Sequence, residues 1–412
     1  MQGWKLISRF TFTAAAIAAA VVVFPSSPLA GQTLVVPGLR AEALAEARAI
    51  VRKNDRRILP AYRKLIAEAD KALAAPLISV TQKSSLLPPS GNKHDYFSLS
   101  PYWWPDPAKS DGLPYIRRDG VTNPESKRDL DQPRVAAMGY NLQTLGLAWY
   151  FSGDEKYAAR AAAQLRAWFL DSATMMTPHL RFAQLVRGNP AERGSGIIDT
   201  RWFIEAVQAA GLIEGSSSWT AADKVALQAW FRSYLDWLLT SPNGAHERAA
   251  KNNHGSWYAA QTAAYATFVG DSALARSISD SARARIGLQI KPDGSQPIEL
   301  ERTRSMHYSG FNIEALSRLA EIGRAVGSDL WTYKAPGGGS LQTAIDHVAR
   351  YIASNEKWPG QQIDEVDPNL LVIHLRRTGF TLNCAKYRQV MDRLPSKLVQ
   401  EDRSALLYPY PR

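Results

Sequence analysis

The spacing of apolar residues after position 130 constrains this chain more than any other feature of it. Leu227, Trp230, Phe231, Tyr234, Leu235 and Leu238 recur at steps of three and four, and Leu142, Leu145 and Trp149 do the same. That stripe is what one face of an α-helix buries. Short signatures punctuate the runs. Phe151-Ser152-Gly153-Asp154 and Phe268-Val269-Gly270-Asp271 each separate two alanine-rich stretches, and Ala325-Val326-Gly327-Ser328-Asp329 is a looser third copy. Glycine accepts the left-handed conformation that closes a helix, and Asp or Ser caps the next one. Each signature therefore predicts a helical hairpin.

Hairpins that each leave an apolar face open must stack, as an open solenoid or as a closed toroid of helix pairs. Alternating valine and isoleucine runs are scarce. The expected fold is all-α, an (α/α) toroid or barrel of helical hairpins forming one large domain over residues 31–412. Irregular loops are expected where Pro and Gly cluster, around 86–128, 187–200, 290–305 and 335–341.

Residues 1–30 read as an address. Lys5 and Arg9 precede the apolar stretch Phe10 to Phe24, and Pro25 to Ala30 ends in a small residue before Gly31, the layout of a cleavable signal peptide. The apolar run falls short of the roughly 20 residues that a bilayer requires. A periplasmic or secreted protein without a stable membrane anchor is expected. Cleavage after Ala30 would lower the formal charge from +11 to +9 and leave 382 residues. A basic surface attracts polyanions, and export favours an acidic polysaccharide over nucleic acid. The single cysteine, Cys384, permits no internal disulfide and has neither a base nor a cation beside it to activate it. No spacing specifies an oligomeric state.

Three segments could carry chemistry. Lys93 to Pro107 is rich in aromatics and proline, with His94, Tyr96, Tyr102, Trp103 and Trp104. It suits a shaped loop that stacks on sugar rings, or one that plugs the mouth of the barrel. Lys251-Asn252-Asn253-His254 opens a helical stretch. Amides and an imidazole at a helix start can face an anion, or can simply be a cap and a satisfied histidine. Glu299 to Tyr308 holds Arg302, Arg304, His307 and Tyr308 ahead of another helix, and its ordinary explanation is a solvated charged face.

Taken together, the last two segments supply what β-elimination on a uronate requires. The C5 proton leaves only if the adjacent carboxylate is neutralised, a base must take that proton, and an acid must protonate the leaving oxygen. Asn253 and Arg302 can neutralise the carboxylate. His254 suits the base, and Tyr308 can serve as acid, or as both base and acid if an arginine lowers its pKa. Asp199, Glu205, Glu299 and Glu301 could furnish the carboxylate pair of a glycoside hydrolase, although no spacing marks a pair. A non-catalytic polysaccharide-binding protein is the third reading. Zinc-binding, nucleophile-elbow and phosphate-loop motifs do not occur, so no metal site is expected.

On these residues the chain resembles the alginate lyase superfamily, whose best-known members are periplasmic mannuronate lyases with incomplete helical toroids. The resemblance rests on His94 to Pro107, Leu147 to Leu170, Thr177 to Leu180 with Gly196 to Arg201, Asn252-Asn253-His254, and Glu299 to Tyr308. It covers about residues 90–320. It implies that Asn253 and Arg302 bind the carboxylate, that His254 and Tyr308 transfer protons, and that no cofactor is needed. Arg201, Trp202 and His179 are candidate subsite residues, with core and helix-end roles as the alternative. The family pattern sets its arginine about one residue further ahead of the tyrosine and follows the tyrosine with histidine. Here His307 precedes Tyr308, so Arg304 is an alternative to Arg302. The aromatic loop and Gly196 to Arg201 also differ from the characterised mannuronate lyases. Alginate is therefore the leading substrate, with glucuronan or another β-uronate polymer behind it.

Overall fold

A computed structural model describes residues 36–354 and 356–409; the expected signal peptide lies outside them. The helices are α1 (Ala41–Arg52), α2 (Leu59–Ala74), α3 (Asp131–Ser152), α4 (Glu155–Phe169), α5 (Phe203–Leu212), α6 (Ala221–Thr240), α7 (Pro242–Ala249) and α8 (Asn253–Phe268). There follow α9 (Ser272–Gln289), α10 (Pro297–Leu300), α11 (Ser305–Ala325), α12 (Leu341–Ala353), α13 (Asn369–Thr381), α14 (Lys386–Met391), α15 (Ser396–Glu401) and α16 (Ser404–Leu407). Neighbours run α3, α5, α8, α11, α13, α16 and α2, and α2 packs back on α3. Helices α4, α6, α9 and α12 pack against members of that ring. The fold is all-α and toroidal. No described helix is long and apolar enough to cross a membrane.

Burial follows the sequence pattern closely. In α6 the buried residues are Leu227, Trp230, Phe231, Tyr234, Leu235 and Leu238, the predicted stripe. In α8 burial extends all round the helix, where Ala259, Ala260, Ala263 and Ala264 let neighbours close in from several sides. Phe203 of α5 meets Trp168, Phe169, Trp230, Phe231 and Tyr234 through ring contacts with centroids 5.1–6.4 Å apart. Truncating such a residue leaves a void that neighbours fill only in part. Phe203→Ala should lower unfolding free energy by about 3–5 kcal/mol in urea titration; a loss below about 1 kcal/mol would show a core able to collapse around the gap.

The first two junctions form as expected. Gly153 and Gly270 take left-handed φ values of 75° and 83°, and Asp154 and Asp271 cap α4 and α9 by accepting from the amides of Lys156 and Leu274. The third does not open a helix. Gly327 ends α11 with φ 80°, but the Ser328 hydroxyl donates to Asp280 and Asp329 accepts from Trp331 and Thr332. The next helix waits for the Ser340 cap.

Two small sheets hold the aromatic loop against the toroid. Strand β1 (Phe97–Leu99) pairs in parallel with β4 (Phe182–Leu185), and β2 (Trp103–Trp104) pairs antiparallel with β3 (Ile116–Arg117). Beneath β1, Asp131 accepts from the Lys83 ammonium at 2.8 Å and from the Phe97 amide at 2.9 Å. That buried, hydrogen-bonded pair ties the loop to the start of α3. The expected loop around 187–200 is in part a 3-10 run, Gly194–Trp202. A Cβ at Gly196 would stand 2.5 Å from the Ala183 carbonyl oxygen, so only glycine lets the run lie that close to β4.

Candidate active site

The starts of α8 and α11, the β2–β3 hairpin and the 3-10 run surround a cavity of about 460 Å³. Asn253, His254, Arg302, His307 and Tyr308 all line it, joined by Tyr102, Trp103 and Arg201 from the other walls. Residues more than 200 positions apart in the chain meet here.

His254 sits one residue into α8, and its Nδ1 lies 2.7 Å from Oε1 of Glu247. Glu247 belongs to α7 and its side chain is 1% exposed, against 23% for the imidazole. A carboxylate facing Nδ1 makes that nitrogen the proton carrier and leaves the Nε2 lone pair for the cavity. Asn253 beside it is fixed by Glu299, which accepts from the Asn253 amide at 2.6 Å and from Nδ2 at 2.8 Å. Burial pushes the Glu299 carboxyl up, while Asn253 opposes the shift. The second Nδ2 hydrogen is what Asn253 retains for a ligand.

Tyr308 lies in the first turn of α11. Its hydroxyl is 2.6 Å from that of Tyr102, and the Arg302 guanidinium sits 3.7 Å from its ring centroid. Arg302 is held in place by Asp119, which accepts from Nη2 at 2.7 Å and from Nε at 3.0 Å. Desolvation works against the Asp119 charge, but Arg302 and the Thr303 amide outweigh it and hold the carboxyl down at about 2. Burial and Tyr102 push the Tyr308 hydroxyl well above its usual range, and Arg302 only partly offsets them. Arg304 pairs with Asp364 at 2.8 Å and is not among the lining residues, whereas Arg302 is.

Several expected subsite residues stand outside the cavity wall. His94 contacts the Met175 carbonyl through Nδ1, and Tyr96 is fully buried with its hydroxyl on Asp199. Trp104 donates to the Val121 carbonyl and carries Arg118 over its ring. Trp202 packs against the hydrophobic core beneath Arg201. His179 faces Asp95 at 3.3 Å and packs near Phe182 and Trp237. None of these five is among the lining residues, and each is engaged by a partner in the protein.

The hydrolase reading fails on placement. Asp199 is the one carboxylate among the described lining residues, and it accepts from Tyr96, Ser98 and Gln184. Glu205 is buried against Arg318, Glu299 holds Asn253, and Glu301 is exposed to solvent. No pair flanks a common space, as two-carboxylate hydrolysis requires. Residues that sequence reasoning passed over are Glu247 and Asp119, and Lys127, Arg193 and Gln184 in the lining. Among the described residues, no cluster of His, Cys, Asp and Glu could hold a metal ion.

The profile of the alginate lyase family matches residues 79–358. No curated protein matches the sequence. Among solved structures, an alginate lyase from Bacteroides ovatus is 38% identical, with a TM-score of 0.86 over 92% of this chain and all of that one. An alginate lyase from Sphingomonas species A1 shares the fold at 16% identity, with a TM-score of 0.58 over 94% of this chain and all of that one. A histidine-to-alanine variant of alginate lyase A1-III, complexed with a tetrasaccharide, does so at 16% identity and a TM-score of 0.60, over 93% of this chain and 99% of that one. With two thirds of its length inside the family profile and its fold and cavity in place, the chain belongs to the alginate lyase family of polysaccharide lyases.

Proposed function

We propose that this enzyme cleaves alginate, its mannuronate-rich stretches first, by β-elimination with His254 as base and Tyr308 as acid. His254 Nε2 takes the C5 proton while Arg302, aided by Asn253, stabilises charge on the uronate carboxylate. The C4–O4 bond then breaks, C4 and C5 become doubly bonded, and the Tyr308 hydroxyl protonates the departing oxygen. The observation that carries the reading is that a carboxylate-held imidazole and a protonated tyrosine under an arginine face one cavity. A base and an acid facing one cavity are what a concerted or stepwise elimination uses. The relative solved with a tetrasaccharide supports an oligosaccharide ligand.

The test is to incubate residues 31–412 separately with polymannuronate, polyguluronate, glucuronan and hyaluronan, following ultraviolet absorbance of the unsaturated product. Rising absorbance with polymannuronate is expected, and silence on all four would remove the reading. Glucuronan is the nearest competitor, since its residues also present an axial-free carboxylate on a β-linked ring. The basic charge of the chain also predicts that KM for polymer rises as salt increases from about 0.05 to 0.5 M, because screening weakens attraction to a polyanion; a salt-independent KM would count against an electrostatic groove. The signal-like N-terminus supports export to the periplasm or beyond, and fractionation of expressing cells would place the protein.

A further inference from the structure

Three cations in the cavity wall have no carboxylate within salt-bridge distance among the described residues: Lys127, Arg193 and Arg201. By contrast, Arg117 and Arg302 in the same wall share Asp119. Lys127 donates to Gln132 at 2.6 Å. Arg193 is engaged differently. Its guanidinium lies 5.2 Å from the centroid of the Trp103 ring, and its Nε reaches the Ser195 hydroxyl at 3.4 Å. Burial, and after it the charge of Arg117, lowers its pKa.

Leaving a guanidinium partly desolvated beside another cation is costly unless a ligand supplies the missing negative charge. Stacking on an aromatic face holds the planar group by its π surface and leaves its N–H edge free in the plane, the edge that grips a carboxylate with two hydrogen bonds. Ser195 takes the Nε side, so the terminal nitrogens are the ones presented. Trp103 accordingly acts first as a platform for Arg193, since one of its faces is already covered. Arg201 repeats the device between Trp202 and Phe311, at 5.0 and 5.3 Å from their centroids.

We propose that Arg193, seated on Trp103, is a second carboxylate subsite. It binds the uronate next to the one that reacts, so that the enzyme reads consecutive uronates rather than a uronate flanked by neutral sugars. This rests on the lyase reading above, and it makes the productive substrate a homopolyuronate. A polymer that alternates uronate with N-acetylhexosamine leaves Arg193 facing a neutral ring and is discriminated against at binding.

The test compares wild type, Arg193→Ala, Arg193→Lys, Trp103→Leu and the Arg193→Ala/Trp103→Leu double variant on polymannuronate, with thermal unfolding checked for each. Loss of a two-point charged contact should raise KM about tenfold to a hundredfold while kcat stays within about threefold. Lysine should recover part of the loss, because it keeps the charge without the fork. The double variant should be no worse than the poorer single one, because Trp103 works through Arg193. A KM for Arg193→Ala within twofold of wild type, or a drop in kcat with KM unchanged, would overturn the subsite. Absence of product from the wild type on every polyuronate would instead remove the lyase reading.

Discussion

Replacing Tyr308 with Phe is expected to cut turnover by about a thousandfold or more while leaving affinity for polymannuronate within about threefold. General acid catalysis contributes about 10² to 10⁴, and Tyr308 is the acid of the proposed step. Binding should survive because the contacts that hold a polyanion are charged, and the hydroxyl is not. The change is structurally mild: it removes one hydrogen bond, to Tyr102, worth about 0.5–1.5 kcal/mol, and leaves Tyr102 at the cavity, where water can replace the partner. The direction of the pKa shift adds a second readout. Because burial pushes the Tyr308 hydroxyl above its ordinary range, the acid form persists through neutral and mildly alkaline pH. Turnover should therefore show no loss traceable to Tyr308 below about pH 10, the ordinary tyrosine value. Full activity in the Phe variant would dismiss the tyrosine as the acid.

The sequence predicted elements better than it predicted partners. Periodicity named all six buried residues of α6 because a helix repeats its inward face locally. The two Gly-Asp junctions were legible for the same reason, since a left-handed closure followed by a cap needs only neighbouring residues. The Gly327 junction failed because Ser328 and Asp329 found partners in Asp280 and the following turn, contacts that no local pattern encodes.

The site divides in the same way. Asn253, His254, Arg302 and Tyr308 were readable as chemistry-bearing types near helix starts, and the fold brings those starts together. What orients them was not readable. Asp119 lies 183 positions from Arg302, and the Arg117-Arg118-Asp119-Gly120 run that carries it offers nearer arginines and no local sign of that partner. The aromatic loop reads as a sugar platform or as a plug for the barrel mouth, and Arg193 and Arg118 lie over the rings of Trp103 and Trp104. Stacked arginines come from elsewhere in the chain, or from the far side of a turn, and a one-dimensional pattern cannot show which rings remain open.

His254→Ala and Glu247→Gln together test whether the imidazole acts as a held base. The alanine variant loses the group proposed to take the C5 proton, and about 10² to 10⁴ in turnover should go with it. Glu247 does not line the cavity; it acts through His254, whose tautomer it sets and whose positive charge it stabilises after proton transfer. A glutamine there can turn its amide N–H toward Nδ1, which would move the imidazole proton to Nε2 and block the lone pair that faces substrate. Glu247→Gln should therefore lower kcat about a hundredfold or more with KM nearly unchanged. It should also slow exchange of the C5 hydrogen with solvent deuterium by a similar factor, a readout that loosened packing alone would not give. In the double variant the second change should cost almost nothing further, because a partner that acts only through the imidazole has nothing left to act on. If instead the two losses multiply, Glu247 acts independently of His254, through the fold of α7 and α8 rather than through the imidazole; a His254→Ala variant with nearly full turnover would send the search for the base elsewhere in the cavity.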